Sequence, residues 1–486
     1  MPESSSTLEL DSLRPTYHFT AQRNWINDPN GLVYFAGEYH LCYQYNPLGN
    51  IHRNMSWGHA VSADLLHWRE LEVAIPVEAG VEAFSGGAVV DWRNSSGFGV
   101  GDAPPLVAAF TGHHTAQRLQ DQRLAYSHDH GRTWTRFAGN PVLDIGESDF
   151  RDPKMFWHAD TQRWVMLLVL AVEHKIQFYS SSDLKTWEFL SDFGPAGSSV
   201  GIWEVPELLE LKIENSSESR WMLKVDIGSG GPCGGSAGQY FIGQFDGARF
   251  TADPSSLLAA PNWIDGGKDF YAAIAWSDAP NGQRVWIGWM NNWQYATALP
   301  TAPWRGAMTL PRTLSLRRTA SGHTLVQGPI QQLEGWRTHH QQRSDLRLEG
   351  RLALSATSTA LEVKLRVGFA QAAGFVMELG RHARVGYDAV THELYIERDA
   401  EDFSADFGGR HSRVVQLADG ILELQIFIDA YSVEVFALDG ACVITDLLMR
   451  PLDSSEFALV SSGGALHIVQ MDVWTLERNG SVWNRD

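Results

Sequence analysis

The sequence predicts an all-β chain, a β-propeller followed by a C-terminal β-sandwich, on three observations. Short strand-like segments such as Leu32–Tyr45 and Arg284–Met290 recur between Gly, Asn, Asp and Pro residues, with almost no helical periodicity among them. A degenerate repeat, SADLLHW (Ser62–Trp68), SHDHGRTW (Ser127–Trp134) and SSDLKTW (Ser181–Trp187), recurs at roughly the spacing of a propeller blade. Late in the chain, apolar and polar residues alternate regularly between turn signals, as in the strands of a sandwich.

Taken in order, the first structured stretch is WINDPNG, Trp25 to Gly31. Its Asn, Asp, Pro and Gly residues bond their own backbone or tolerate positive φ, so the local reading is a turn shaped by Asp28. The heptapeptide alone does not decide whether Asp28 also does chemistry. In the repeats, each Ser-x-Asp follows a strand and turns the chain into the next one. The Asp is a turn-former and the Trp packs between neighbouring sheets. WVMLLVLAV (Trp164–Val172) is too short to span a bilayer as a helix and reads as a buried strand. From Arg317 to Asp345 the chain is polar and poorly periodic, which reads as a connector. Beyond it, Leu361, Val363, Leu365 and Val367 alternate with Glu362, Lys364 and Arg366, giving one apolar and one polar face. Ile421–Gly440 reads as two strands joined by a turn at Asp429–Ser432.

A length of 486 residues exceeds what one core covers, so two domains are expected. The expected division is an N-terminal tail over 1–16, the propeller over 17–320, a linker over 321–344 and the sandwich over 345–486. A net charge of −19 argues against nucleic acid or an anionic membrane as partner, because both select basic surfaces. Three well-separated cysteines, Cys42, Cys233 and Cys442, exclude a disulfide framework and a zinc spacing. The N-terminus has no signal-peptide pattern, so the expectation is a cytoplasmic protein, or a secreted one whose export signal has been removed. Nineteen tryptophans are a surplus that suits stacking on the C–H faces of sugars, beside their ordinary role in cores.

Several chemistries find no support. There is no H-E-x-x-H and no His cluster with metal-ligand spacing; His113–His114 and His339–His340 read as loop residues. The Gly-rich run Gly228–Tyr240 lacks the Gly-Lys-Ser/Thr ending of a phosphate loop and reads as a loop where backbone passes closely. No G-x-S-x-G is present. What remains is three carboxylates beside aromatics: Asp28, Asp152 in FRDPKMFW and Glu204 in GIWEVPELL. Each alone has a bland reading, Asp152 as a salt-bridged turn and Glu204 as the rim of a strand. A propeller brings inner strands of separate blades to one funnel, and glycoside hydrolysis needs two carboxylates there.

The ordered motifs WINDPNG, YQYNP (Tyr43–Pro47), WGHAVS (Trp57–Ser62), FSGG (Phe84–Gly87), FRDP (Phe150–Pro153), WEVPEL (Trp203–Leu208), DFYAA (Asp269–Ala273) and DAYSVEVF (Asp429–Phe436) resemble glycoside hydrolase family 32 along essentially the whole chain. This is the invertase, inulinase and levanase family. The resemblance implies a five-bladed propeller, no metal or organic cofactor, and a sucrose or fructan substrate. It implies Asp28 as nucleophile, Glu204 as general acid/base and Asp152 as the residue that binds ring hydroxyls. It places Asn27, Gln44, Trp57, Phe84, Ser85 and Arg151 around a fructose pocket, with Trp25, Asp269 and Trp304 as rim or support. Two departures stand out: Ile26 where the family usually has Met, and Val205 where it commonly has Cys. Gly230–Gly247 is similar to the stretch in exo-acting inulinases, levanases and yeast-type invertases, which implies exo-release of fructose. A fructosyltransferase using the same residues, or a non-catalytic carbohydrate-binding protein, are the other readings. The sandwich offers a surface through which homo-oligomers could form.

Overall fold

The computed structural model describes residues 13–257, 260–400 and 404–478. Among these the only helical segments are short 3₁₀ turns; everything else regular is strand. Five sheets of at least four strands are followed by two six-stranded sheets. The inner strands of the five blades are Asn24–Phe35, Val81–Val90, Phe150–His158, Trp203–Lys212 and Tyr271–Ala275. They touch one another in a closed ring, first against second through to fifth against first. That ring is the wall of a propeller channel. Trp304–Arg305 returns to pair in parallel with Asn24–Trp25, adding a short strand to the first blade beside the fifth.

Closure is hydrophobic and modular. One apolar cluster lies at each blade–blade junction, such as Val89, Val107 and Leu124 of blade 2 against Met166 and Leu168 of blade 3. Alternation makes this possible, since each strand presents one set of side chains to each neighbouring blade. The repeated turns behave as their sequence predicts. In blades 1 and 3, Ser62 and Ser181 accept from the backbone N–H of Asp64 and Asp183. The two aspartates accept further backbone N–H bonds, at Leu66 and His67 and at Lys185 and Thr186. Leu65, His130 and Leu184, at equivalent positions, all take positive φ. Trp68 and Trp187 each donate to the carbonyl three residues back and pack towards the preceding blade.

Several expectations are corrected. Gly322–Pro329, assigned to the linker, is the outer strand of blade 5, paired residue by residue with Arg312–Thr319. The connector shrinks to a 3₁₀ turn at Gln331–Trp336, and Arg337–Leu348 is already an edge strand of the sandwich. Of the tail, residues 1–12 lie outside the described residues. Leu13 is buried, and Thr16 N–H donates to Asp429 of the sandwich at 2.8 Å. His113–His114 ends one strand and His339–His340 lies within another, so neither pair is in a loop. Glu362, assigned to the polar face, is wholly buried because Arg337 meets its carboxylate with two bonds of 2.7 Å. Leu361, Val363, Leu365 and Val367 do face the sandwich core.

Candidate active site

Each of the five inner strands carries one of the sequence motifs, and each breaks regular pairing at that motif. The shifts fall at Ile26/Pro29 and Asn30/Val33 in blade 1, Ala83/Gly86 in blade 2 and between Arg151 and Lys154 in blade 3. They fall at Glu204/Glu207 in blade 4 and Tyr271/Ile274 in blade 5. Extra residues bend a strand and re-aim its side chains. WINDPNG is therefore a doubly bulged strand and not a turn. Gly31 shows why its glycine is needed: φ is +53°, and a Cβ would stand 2.6 Å from the Trp57 ring.

The bulges bring the three acids to one mouth of the channel. Asp28 is buried; its oxygens accept from Asn27 Nδ2 at 3.0 Å and Ser85 Oγ at 2.7 Å. Burial raises its pKa against those two bonds, and the charge of Glu204 raises it further. Asp152 is pushed up to about 7, by burial first, with Glu204 and Asp28 adding and Arg151 and the Val205 N–H opposing. Glu204 is the most open of the three, its side chain 21% exposed. One of its oxygens accepts from Tyr271 OH at 2.6 Å, and the other lies 3.4 Å from Arg151 Nε. Arg151 also donates to Asp149 at 2.9 Å. Burial works against the guanidinium charge, but Glu204, Asp152 and Asp149 hold it firmly protonated.

Asp152 and Glu204 are linked through one strained residue. Val205 has φ of 46°, costly for a β-branched side chain. Its N–H donates to Asp152 at 2.8 Å and its carbonyl accepts from Lys224 Nζ at 3.0 Å. Lys224 in turn pairs with buried Asp226, whose pKa is pushed up to about 7 by burial against that lysine. The Val205 side chain packs into the core between blades 5 and 1. The position at which the chain departs from the commonly found Cys thus meets the site through its backbone.

The remaining candidates divide. Asn27 and Ser85 touch Asp28 directly. Trp25 is fully buried, and its Nε1 donates to Asn27 Oδ1 at 2.7 Å, so it braces the asparagine. Gln44 and Trp57 hold the bulged backbone of blade 2 at Ala83 and Phe84, with bonds of 3.0 and 2.9 Å. Phe84 is half-buried and stacks on His113 at 4.5 Å. Asp269 and Trp304 are corrections. Asp269 is wholly buried against the sandwich, 2.7 Å from Arg398, with Leu447 N–H also donating to it. Trp304 packs on Tyr431 at 5.3 Å in the same interface. The residue of DFYAA that reaches the acids is Tyr271, two positions on. It was not foreseen, and alternation gives no signal for it: residues two apart share a face of a regular strand, and Asp269 precedes the strand that begins at Tyr271. The Lys224–Asp226 pair was also missed. Among the described residues, no group of three His, Cys, Asp or Glu side chains could hold a metal ion.

A five-bladed propeller with a C-terminal sandwich and clustered acids at one channel mouth defines a protein class, the glycoside hydrolases of this architecture. The chain belongs to glycoside hydrolase family 32. The model of the glycosyl hydrolases family 32 N-terminal domain matches residues 18–329, and that of the family 32 C terminal matches residues 329–475. A levanase of Bacillus subtilis is 41% identical over 97% of this chain and 71% of its own length. An extracellular exo-inulinase of Aspergillus awamori is 37% identical over 97% of this chain and 95% of its own. The crystal structure of an A. awamori exo-inulinase superposes with a TM-score of 0.90 at 35% identity, covering 96% of this chain and 98% of that one. A Schwanniomyces occidentalis β-fructofuranosidase complexed with fructosyl-erythritol gives 0.88 at 30%, over 97% and 99%.

Proposed function

We propose that the chain is a retaining exo-β-fructosidase that releases terminal fructose from sucrose and fructans. The observation that carries the reading is the pairing of Asp28 with Glu204, one buried under two hydrogen bonds and one open to solvent, at a single channel mouth. Asp28 attacks C2 of the terminal fructosyl unit while Glu204 gives its proton to the glycosidic oxygen. The bond to the leaving sugar breaks as the Asp28–fructosyl ester forms. Glu204 then takes a proton from water, which attacks C2 and frees Asp28, with net retention. Ser85 and Asn27 orient Asp28 so that its free lone pairs face the channel. Asp152, beside Arg151, holds ring hydroxyls, and Tyr271 positions the Glu204 carboxyl.

The kinship to a levanase and exo-inulinases supports polymeric fructans as well as sucrose. A panel of sucrose, raffinose, inulin and levan tests this, with products resolved by chain length. Fructose as the first and sole small product from inulin or levan is expected; internal fragments would refute exo-action. At high sucrose, glucose and fructose alone are expected, and accumulating trisaccharide would mark a transferase. The name extracellular on the exo-inulinases favours an exported protein over the cytoplasmic expectation, which separate assays of culture fluid and lysate decide.

A further inference from the structure

The channel has a second mouth that the proposed reaction does not use. The inner strands of blades 2, 3 and 4 run on past the acids. Their far halves, with the end of blade 5, line a cavity of about 450 Å³. That size is typical of small-molecule sites. Deep in it, Lys154 and Glu207 on adjacent strands pair at 2.9 Å, and both are anchored on the Ala275 peptide. These contacts use one Glu207 oxygen. The other has no partner, although the side chain is 0% exposed. The Trp157 indole N–H in the same lining is also buried without an acceptor. Neither atom is exposed to the cavity itself, but Arg93, Asp160 and Glu210 stand exposed in its lining and between them both give and take hydrogen bonds.

The walls narrow the ligand class. Phe156 and Trp221 supply apolar faces, and Trp92 stands at the rim, 59% exposed. Its indole N–H is tied to Asp278 at 2.9 Å and Phe35 packs against it at 5.7 Å, which fixes the ring while leaving much of it open. Cations and carboxylates are nearly matched: Lys154 pairs with Glu207, and Arg93 lies over the Trp157 ring at 4.1 Å. Nothing there selects an anion. A fixed aromatic platform beside exposed donor and acceptor side chains suits the apolar face and hydroxyls of a neutral sugar.

We propose that this cavity is a second saccharide-binding site, on the propeller face opposite the acids, which holds part of a neutral fructan chain. The choice of fructan rests on the fructosidase reading. Holding a polymer on one face raises its local concentration at the other, so only long substrates benefit.

The test is electrophoresis through gels containing inulin or levan, using Asp28→Asn protein so that the polymer survives. The Asp28→Asn protein is expected to be retarded. Adding Trp92→Ala should weaken retention about five- to tenfold, and adding Trp92→Phe, which keeps a ring, should weaken it less. With Asp28 intact, Trp92→Ala should leave sucrose turnover unchanged, which also reports folding, and should raise KM for inulin. Crystals soaked in a fructo-oligosaccharide should show sugar against Trp92. Equal retention with and without Trp92, no retention at all, or ordered water only in the cavity while the acid funnel is occupied would each overturn the proposal. Absence of sucrose turnover in the parent would sink the fructosidase reading separately. Gels of other neutral polysaccharides would then decide whether the cavity binds saccharide.

Discussion

Two groups of buried carboxylates in this molecule, one at the propeller–sandwich interface and one in the funnel, behave oppositely. At the propeller–sandwich interface, Asp429 and Glu434 sit below their ordinary pKa although both are fully buried. His18 lies between them at 2.9 Å from each, and Arg312 reaches Glu434 at 2.6 Å. Backbone N–H groups of Thr16, Tyr17 and Leu310 complete the shells. In the funnel, Asp28 and Asp152 sit above their ordinary value because burial outweighs the donors around them and neighbouring carboxylates add to it, with Arg151 opposing at Asp152. Asp265 marks the boundary: it shares Arg312 with Glu434, and burial outweighs that cation. Burial alone therefore does not set the direction of an acid's shift; the cations and donors around it weigh against burial, and at Asp265 burial prevails.

The sharpest way to break this contrast is to remove one acid from each region. Asp28→Asn should lower turnover of sucrose by on the order of 10⁴-fold or more while leaving the unfolding midpoint near that of the parent. A steady-state assay and a denaturant titration on the same protein read both. At the interface the effects should reverse. Arg312→Met leaves Glu434 and Asp265 short of their shared cation, and Arg398→Met does the same to Asp269. Each should cost about 3–5 kcal/mol in denaturant unfolding, with kcat on sucrose retained by the folded fraction.

A pH series sharpens the comparison further. His18 is raised to about 9: burial favours the neutral ring, but Asp429 and Glu434 outweigh it by hydrogen bonding to the imidazolium. The folded chain thus keeps a proton that the unfolded chain releases above 6.5. The stabilisation is complete below 6.5 and is lost as pH rises through about 9, a change on the order of 3 kcal/mol. Urea midpoints measured across that window should fall in the parent and stay flatter in His18→Asn. The smallest effect is expected at Asp152. Its folded pKa of about 7 exceeds the ordinary 3.8, so the folded chain loses stability as pH rises between the two. Asp152→Asn should unfold later than the parent at pH 8, by about 1–3 kcal/mol, while turning over far less substrate.

What the sequence reveals of this molecule follows the range of the interactions involved. The Ser-x-Asp turns are legible because their hydrogen bonds close within three residues. The sandwich face of Leu361–Val367 is legible because alternation is local. Glu362 breaks its own pattern, since its partner Arg337 lies on another strand of the same sheet. The three acids are found through ordered motifs, yet their motif context misassigns Asp269 and passes over Tyr271. Which side of a strand a residue faces after a bulge depends on pairing with residues far away in sequence. The same holds for Lys224, which touches the site only because its strand lies beside Val205.

The central claim, that Asp28 bonds covalently to fructose while Glu204 moves the protons, can be tested in one measurement. Glu204→Ala protein is mixed with a fructosyl donor whose leaving group needs no protonation, then quenched and digested for mass spectrometry. Without Glu204 the first step proceeds and the second stalls, so a hexose increment should accumulate on the peptide containing Asp28. No increment under conditions where the leaving group is released, or an increment on a peptide without Asp28, would contradict the account.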